Sequence, residues 1–380
     1  IRNGANALGT GTIILGDETT SGTLSQIEGN WTRTQNIELV GSDNFISNNS
    51  AGADRWEKLQ GVISGAGNVT FIDNVGATND LNRGCILTGD NTASGTITIA
   101  AGTPLRVGGV PGDNFDQFAA PSGSLGTAEI VNNGTLTFSR TDAHTVNNTI
   151  TGIGTVRIGV TPGSAVDGTL VDPSPGNISE QVVTFASSQS YEGDTEVLSG
   201  TLNIPSGQTL GSSFGFITVD VAGTVSGAGT LEDSVDVFGT VDAGDNGVGT
   251  LTTNGPTVFY GGSNLACDLG DWTTASSDQL VAQDSLEFFI DTTLDIPDEP
   301  MTIVIDPASL TGFTETDQTF TLISSPSGIF GFDVASVTVD DSAFLEATPA
   351  TGTWSVQENG TGDAIELVYT AGIPPVTNDF

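Results

Sequence analysis

Three passages of the chain repeat one pattern: a short apolar strand, a glycine-x-glycine corner and a second short strand. They are VISGAGNVTF (residues 62–71), TITGIGTVRI (149–158) and TVSGAGTLED (224–233). A looser refrain, Gly-Thr followed by alternating apolar residues, begins at Gly11, Gly95, Gly134, Gly200 and Gly249. Alternation with period two indicates strands with one inward face, and glycine supplies the positive φ of tight corners. The sequence therefore predicts many short, stacked strands.

Strands of this kind fit a sandwich, a barrel or a β-solenoid. The repeats are open-ended and lack a regular series of two-residue hairpin turns, and between residues 200 and 255 a corner returns every ten to fifteen residues. We therefore predict an all-β chain, a parallel β-solenoid over residues 1–285. After Leu286 the apolar runs lengthen and prolines appear at corners, which predicts a C-terminal β cap or small β domain over 286–373. The paired prolines near the end predict an extended tail over 374–380.

The charge of the chain is strongly uneven. Of 46 acidic residues, 14 lie in residues 1–157 and 32 in residues 158–380, whereas all 8 basic residues lie in the first part. A surface this acidic repels nucleic acid and anionic lipid, so neither is an expected partner. The sequence has no apolar run long enough to span a membrane. Cations are the expected ligands of such a surface.

Calcium is the metal that suits this chain best, because it prefers carboxylate and carbonyl oxygens. The corner DAGDNG offers Asp242, Asp245 and Asn246 around a tight turn, and IPDEP offers Asp298 and Glu299. Neither segment has EF-hand spacing. The sequence predicts a calcium site at Asp242, Asp245 and Asn246, with a solvated acidic corner as the alternative.

The two cysteines, Cys85 and Cys267, have no zinc-site spacing. If a rung takes roughly 20–25 residues, about eight rungs separate them. That is roughly 40 Å, whereas a disulfide tolerates Cα separations only up to about 7 Å. An intrachain bridge is excluded unless the chain folds back, so the thiols are either free and buried or bridged to another chain.

Catalytic motifs are weak throughout the sequence, so we predict that the chain is not an enzyme. A dinucleotide site needs a helix after its glycine-rich turn, but here a strand follows each turn. Asp340 and Asp341 are adjacent on a strand and face opposite sides, which makes them poor partners for glycoside cleavage. The single histidine, His144, has no nucleophile elbow beside it.

Long segments resemble the passenger-associated repeats of autotransporters, most closely the large secreted proteins of environmental bacteria such as planctomycetes and verrucomicrobia. The resemblance covers roughly residues 4–290 and includes GANALGTGTIILGDETTSGTLSQIEG, LTGDNTASGTITIAAGTPLRVGG and GTLNIPSGQTLGSSFGFITVDVAGTVSGAGTLED. SSDQLVAQDSLEF is similar to the segment that closes such an array, and NGTGDAIELVYT to its C-terminal ending. The resemblance implies a right-handed parallel β-helix that is exported to the cell surface.

Together these features predict an extracellular structural protein, a solenoid rod that self-associates into a surface fibre or coat, or an adhesin-like passenger. The start of the sequence reads as strand without a cap, which suggests head-to-tail stacking. The alternative is a secreted carbohydrate-active β-helix that binds or cleaves polysaccharide. Its aromatic side chains would be Trp31, Trp56, Trp272 and Trp354, which are scattered along the sequence.

Overall fold

A computed structural model describes residues 8–27, 29, 31–49, 55–74, 83–109, 122–159, 165–166, 169–170, 181–244, 247–289 and 299–372. It divides into two compact units. Unit 1 comprises residues 1–202 and 214–216, and unit 2 comprises residues 203–213 and 217–380. Each unit is described by itself below.

Unit 1 consists of short strands. They are β1 (Ile13–Leu15), β2 (Thr23–Gln26), β3 (Trp31–Arg33), β4 (Ile37–Leu39), β5 (Asn44–Asn48), β6 (Arg55–Leu59), β7 (Ile63–Ser64), β8 (Val69–Asp73), β9 (Arg83–Leu87), β10 (Thr96–Ile99), β11 (Pro104–Val107), β12 (Glu129–Asn132), β13 (Thr135–Phe138), β14 (Ala143–Val146), β15 (Ile150–Thr151), β16 (Thr155–Ile158), β17 (Ala165–Val166), β18 (Thr169–Leu170), β19 (Val182–Phe185) and β20 (Thr195–Ile204), the last of which continues into unit 2.

Successive strands of unit 1 fall into parallel sheets, as a solenoid requires. The sheets run in the orders β1-β4-β7, β2-β5-β8-β10-β12-β15 and β3-β6-β9-β11-β13-β16. Each turn of the coil, here called a rung, places its apolar residues directly over those of the preceding rung. Leu105, Leu136 and Val156 are direct neighbours in this way, and each is at most 1% exposed. Burying one such side chain contributes roughly 1.5–3 kcal/mol.

The structure confirms that the repeated glycine-x-glycine motifs form tight corners between short strands. The first glycine adopts a positive φ in each copy: +99° at Gly65, +103° at Gly152 and +114° at Gly227. The second glycine packs against the preceding rung, because a Cβ on Gly154 would lie 2.3 Å from the Gly134 carbonyl oxygen. One glycine therefore turns the chain, and the other allows close contact between rungs.

Unit 2 continues with the same kind of strand. The strands are β21 (Thr209–Leu210), β22 (Phe216–Gly227), β23 (Thr230–Leu231), β24 (Ser234–Val237), β25 (Thr240–Ala243), β26 (Thr250–Thr253), β27 (Thr257–Tyr260), β28 (Asn264–Asp268), β29 (Gln279–Ala282), β30 (Leu286–Phe289), β31 (Met301–Asp306), β32 (Gln318–Ser324), β33 (Ile329–Phe330), β34 (Val337–Asp340), β35 (Thr353–Glu358) and β36 (Ala364–Thr370). Short 3-10 helices span Trp272–Thr274 and Val334–Ser336, and the α-helix α1 spans Ser342–Ala347.

The rungs of unit 2 stack in register along one inward column. Val225, Val241, Leu265, Ile303 and Val339 are successive partners across β22, β25, β28, β31 and β34. This confirms the predicted parallel β-solenoid. The parallel pairing continues past residue 285, where the sequence had placed the end of the solenoid, because β30, β31 and β34 still pair in parallel with earlier strands.

The C-terminal cap, defined as α1, β35 and β36, changes the strand direction. In its sheet β32 is parallel to β29, whereas β36 is antiparallel to β32 and β35 is antiparallel to β36. An aromatic cluster joins the cap to the segments before it. Its members are Trp272, Phe313, Phe320, Phe344, Trp354 and Tyr369. The antiparallel strands and the aromatic cluster therefore close this sheet of unit 2 with a structure different from a rung.

The carboxylate of Glu315 fastens the cap. It accepts hydrogen bonds from the Tyr369 hydroxyl at 2.6 Å, the Gly372 N–H at 3.1 Å and the Thr351 N–H at 3.2 Å. These bonds, the one from Tyr369 above all, lower the pKa of Glu315 to about 2. An acid whose pKa is lowered on folding stabilises the fold above its unfolded pKa and loses that effect as pH falls.

Glu315→Gln is therefore expected to lower the unfolding temperature of the cap at pH 7. We also expect it to reduce the acid sensitivity between about pH 4.5 and 2, because the variant has no carboxylate to protonate. Tryptophan fluorescence during thermal unfolding measures both effects, since Trp272 and Trp354 lie in the cluster. Glu346→Gln, at an exposed position of α1, is the matched control and is expected to behave as wild type. Equal acid sensitivity in the two variants would contradict the assignment.

Candidate functional site

The acidic corner that the sequence predicts as a calcium site begins on strand β25. Asp242 is the third residue of that strand and points outward, because its neighbours Val241 and Ala243 are buried at 2% and 1% exposure. Asp245 and Asn246 lie outside the described residues. The structure therefore places one of the three predicted ligands.

Two neighbouring strands bring further carboxylates to the same outer face. Asp268 on β28 and Asp306 on β31 are direct partners in the parallel register. Asp242 is the partner of Ala266, two positions before Asp268. Because neighbouring strands lie about 4.8 Å apart, the three side chains form an acidic ladder, defined as Asp242, Asp268 and Asp306.

A fourth carboxylate, Asp278, is buried beside the ladder. It immediately precedes β29 and is 3% exposed. Its Oδ1 accepts a hydrogen bond from the Gly249 N–H and its Oδ2 accepts one from the Asp268 N–H, both at 2.8 Å. A Cβ on Gly244 would lie 2.9 Å from Asp278 Oδ1, so the carboxylate also packs against the corner after β25.

These carboxyl groups hold protons more tightly than ordinary aspartates do. Burial, reinforced by the charges of Asp268 and Asp306, raises the pKa of Asp242 to about 6. Burial raises the pKa of Asp278 to about 7, with its two backbone hydrogen bonds acting in the opposite direction and the charges of Asp268 and Asp242 adding to the increase. Burial and Asp306 also raise the pKa of Asp268. Residues 158–380 contain no lysine or arginine, so no basic side chain of this region balances these carboxyl groups.

The same carboxylates do not form a metal centre in the part of the chain that the structure describes. No group of three or more histidine, cysteine, aspartate or glutamate side chains there could hold a metal ion. Both oxygens of Asp278 already accept backbone hydrogen bonds. Calcium at Asp242, Asp245 and Asn246 stays a prediction, because two of these three residues lie outside the described ranges.

Several described basic side chains of unit 1 have partners within that unit. Ion pairs join Arg33 to Glu57, Arg140 to Asp142 (2.8 Å) and Arg157 to Glu196 (2.6 Å). The guanidinium of Arg106 lies 4.7 Å from the centre of the Trp56 ring and is 3% exposed. These four positive charges therefore offer little to balance the acidic surface of a second copy.

Both cysteines are free and buried. Cys85 lies on β9 and Cys267 on β28, each 1% exposed. Burial raises both thiol pKa values well above the ordinary value, and nearby carboxylates add to this, so the reactive thiolate is scarce near neutral pH. A disulfide to another chain stays a prediction, and it would require local opening of a strand.

His144, on β14, packs beside an aromatic ring and is partly buried. Its ring centre lies 6.1 Å from that of Phe138. Burial, aided by the charge of Arg140, lowers its pKa to about 4, so the imidazole is neutral at pH 7. Two of the tryptophans considered for sugar binding, Trp56 and Trp272, are buried at 3% and 1% exposure and offer no ring face to a ligand.

An outward aromatic column, which no sequence pattern indicated, lies at the ends of β24, β27 and β30: Phe238 directly follows β24, and Tyr260 and Phe289 are the last residues of β27 and β30. Phe238 and Tyr260 stack face to face, with ring centres 4.2 Å apart, and Phe289 meets Tyr260 edge to face at 6.0 Å. The Tyr260 hydroxyl lies 3.4 Å from the Asp236 carboxylate, and Glu287 is the register partner of Val258. The stack covers one face of Phe238 and one of Tyr260, and Phe289 is 39% exposed.

Comparison with known proteins does not assign the chain to a family. No protein-family model matches it, and no curated protein matches it. Among the described residues, no helix has the length and apolar character needed to cross a membrane.

The residues that sequence analysis missed are those that register brings together. Asp268, Asp278 and Asp306 are separated by loops of different length, so no spacing rule connects them to Asp242. The sequence did show many acidic residues in a region without lysine or arginine. That concentration predicts a strongly acidic region, but it does not show which carboxylates lie next to one another.

Proposed function

We propose that the chain is an extracellular structural protein, a β-solenoid that self-associates into a surface fibre or coat. The observation that carries the proposal is the unbroken register of rungs. In unit 2 one inward column, from Val225 to Val339, runs in register through the five strands β22, β25, β28, β31 and β34. Such a fold depends on contacts between neighbouring rungs, which suits a scaffold that presents a long surface.

The sequence resemblance to autotransporter passenger repeats supports the same proposal, since those proteins are exported to the cell surface. The charge distribution supports it in another way. Residues 158–380 include 32 acidic residues and no lysine or arginine, a charge that favours partners that bring cations or tolerate salt. Copies of this chain are mutually repelled there until ions or protons reduce the charge.

The C-terminal cap limits how the copies could assemble. Its antiparallel strands β35 and β36 replace the parallel edge that another rung would need, and Phe344 of α1 is fully buried within the cap. In the proposed assembly, contacts between copies therefore use surfaces other than the capped sheet edge of unit 2.

Electron microscopy and light scattering at several salt concentrations test the proposal. We expect uniform filaments or arrays that form more readily as salt increases, because the screening length falls from about 10 Å at 0.1 M to about 3 Å at 1 M. Dispersed monomers at every concentration and ionic strength would contradict it.

A second candidate function, polysaccharide binding, is favoured by the outward aromatic column beside Asp236 and Glu287. Aromatic rings pack against sugar C–H groups, and carboxylates accept hydrogen bonds from hydroxyl groups. A panel of neutral polysaccharides in affinity electrophoresis tests this candidate, with Phe289→Ala as the variant and Phe214→Ala, also an exposed aromatic, as the control. Retardation that Phe289→Ala abolishes would support it, and no retardation of wild type would end it.

A further inference from the structure

The last rung of the solenoid, formed by β32, β33 and β34, is closed by the cap at one of its three strands. Strand β32 pairs with β36 of the cap. In the part of the chain that the structure describes, β33 pairs with β30 alone and β34 pairs with β31 alone. The far edges of β33 and β34 are therefore open parallel edges, the kind of surface to which a further strand can add.

The register shows which backbone groups of β34 lie at its open edge. On β31, the Thr302 N–H donates to the Ser263 carbonyl, on the side of β28. Consecutive residues of a strand direct their backbone groups to opposite sides, so the next residue, Ile303, faces β34. There it meets the residues on either side of its register partner Val339. The N–H and C=O of Val339 itself therefore point to the open edge.

The inward side chains of this last rung are less buried than those of the rung before it. Val337 and Val339 are half-buried, whereas their register partners Met301 and Ile303 are each 1% exposed. Ile329 on β33 is half-buried as well. A further strand on this edge would cover apolar side chains and pair with the backbone at the same time.

The first described strand, β1, has the features that fit this edge. Among the described residues it pairs with β4 alone, and in parallel. Its inward side chains are Ile13, which is half-buried, and Leu15. They stand two positions apart, as Val337 and Val339 do on β34. Strand β1 of a second copy can therefore continue the parallel sheet with its inward residues over those of β34.

The charge of the chain favours this pairing over contact between two C-terminal parts. Residues 1–157 contain 8 basic and 14 acidic residues, a net charge of −6, whereas residues 158–380 contain 32 acidic and no basic ones, a net charge of −32. The first part of one copy is therefore repelled much less by the second part of another copy than two second parts repel each other.

We propose, building on the self-association proposed above, that copies join head to tail, with β1 of one copy added in parallel to the open edge of β34 of the next. In this register Ile13 lies over Val337. Two positions on, Leu15 lies over Val339. The joint covers the half-buried side chains and pairs the open backbone edge, while the cap stays on β32. Because the two surfaces differ, each end of an assembly keeps one of them and addition continues into a filament.

Hydrogen exchange of the wild-type protein tests the joint directly. The Val339 amide is expected to exchange about tenfold or more slowly in filaments formed at high salt than in dispersed protein at low salt. The Thr338 amide faces β31 in both states and is the internal control. Equal exchange of Val339 in filaments and in dispersed protein would overturn the proposal.

Two variants place a charge on either side of the joint. Val339→Lys and Ile13→Lys are each expected to raise the protein concentration needed for filaments about tenfold or more, because the lysine would be buried without a partner. Val221→Lys adds the same charge to unit 2 at a side chain 70% exposed. This control is expected to change the concentration less than about twofold. Assembly of Ile13→Lys at the wild-type concentration would overturn the head-to-tail joint.

An equal mixture of the two variants tests the orientation. Each variant keeps one intact surface, so Val339→Lys and Ile13→Lys together are expected to form dimers and no filaments. Filaments in the mixture would contradict the proposal. If wild-type filaments form but Val339→Lys assembles like Val221→Lys, the joint is refuted and the proposed function stands. If the wild type assembles at no salt concentration, both are refuted. If Val339→Lys fails to fold, Ile13→Lys and the exchange of wild-type Val339 decide.

Discussion

Replacement of Trp272 by alanine is expected to lower the free energy of unfolding of the capped end of unit 2 by about 3–5 kcal/mol, the usual cost of deleting a buried aromatic side chain. Trp272 is 1% exposed and lies at the centre of the aromatic cluster. Its ring centre is 4.6 Å from that of Phe313, 5.2 Å from Tyr369 and 5.4 Å from Phe320. The variant removes these contacts together and leaves a cavity beneath the cap.

Urea unfolding followed by the fluorescence of Trp354, which remains in the cluster, measures the loss. Trp272→Phe keeps part of the ring packing and is expected to lose less than half as much. Phe214→Ala, at a side chain 76% exposed, is the control and is expected to change stability by at most about 0.5 kcal/mol. A loss for Trp272→Ala as small as that of the control would show that the cluster does not stabilise the cap.

The second large effect is expected from Arg33→Met, which should destabilise unit 1 by about 3–5 kcal/mol at pH 7. Arg33 and Glu57 form an ion pair on adjoining rungs, with side chains 3% and 0% exposed. Removing the guanidinium leaves the Glu57 carboxylate buried without its counter-charge. Burial already raises the pKa of Glu57 even with Arg33 present, so the destabilisation is expected to shrink in acid, where the carboxyl group takes up a proton.

The double variant Arg33→Met, Glu57→Leu is the informative companion. Because apolar side chains can replace a buried ion pair without loss, we expect it to regain most of the stability that Arg33→Met loses. Denaturant midpoints at pH 7 and pH 5 provide the comparison. A double variant as unstable as Arg33→Met would mean that the arginine acts through its packing and not through the carboxylate.

The architecture could be predicted from the sequence because its signals are local. Period-two alternation and the glycines at 65, 152 and 227 act within a few residues, and the structure shows the strands and positive φ angles that they require. The limit of the solenoid was harder to predict. The residues after Leu286 have longer apolar runs and prolines at their corners. Strands β31 and β34 nevertheless keep the parallel register, since register depends on the neighbouring rung and not on composition.

The candidate site could be predicted only in part, because its chemistry depends on residues far apart in the chain. Asp242 was identified from its acidic corner, but Asp278 reaches it through a fold in which β28 and β29 approach together. The ion pair of Arg33 and Glu57 was missed for the same reason. Their side chains alternate inward with apolar residues, and no rule of local spacing connects the two positions.

The nearest-neighbour register of the rungs also bears on how such a chain can change in length. A duplicated rung could pair in the same register with the rung before it and the rung after it. Its inward side chains would then lie over inward side chains, and its outward ones over outward ones. Insertion of a single residue within a strand would turn every following side chain of that strand to the opposite face. Growth and shortening by whole coils are therefore the changes that this architecture accommodates most readily, and the close glycine contacts between corners define where one coil can be joined to the next.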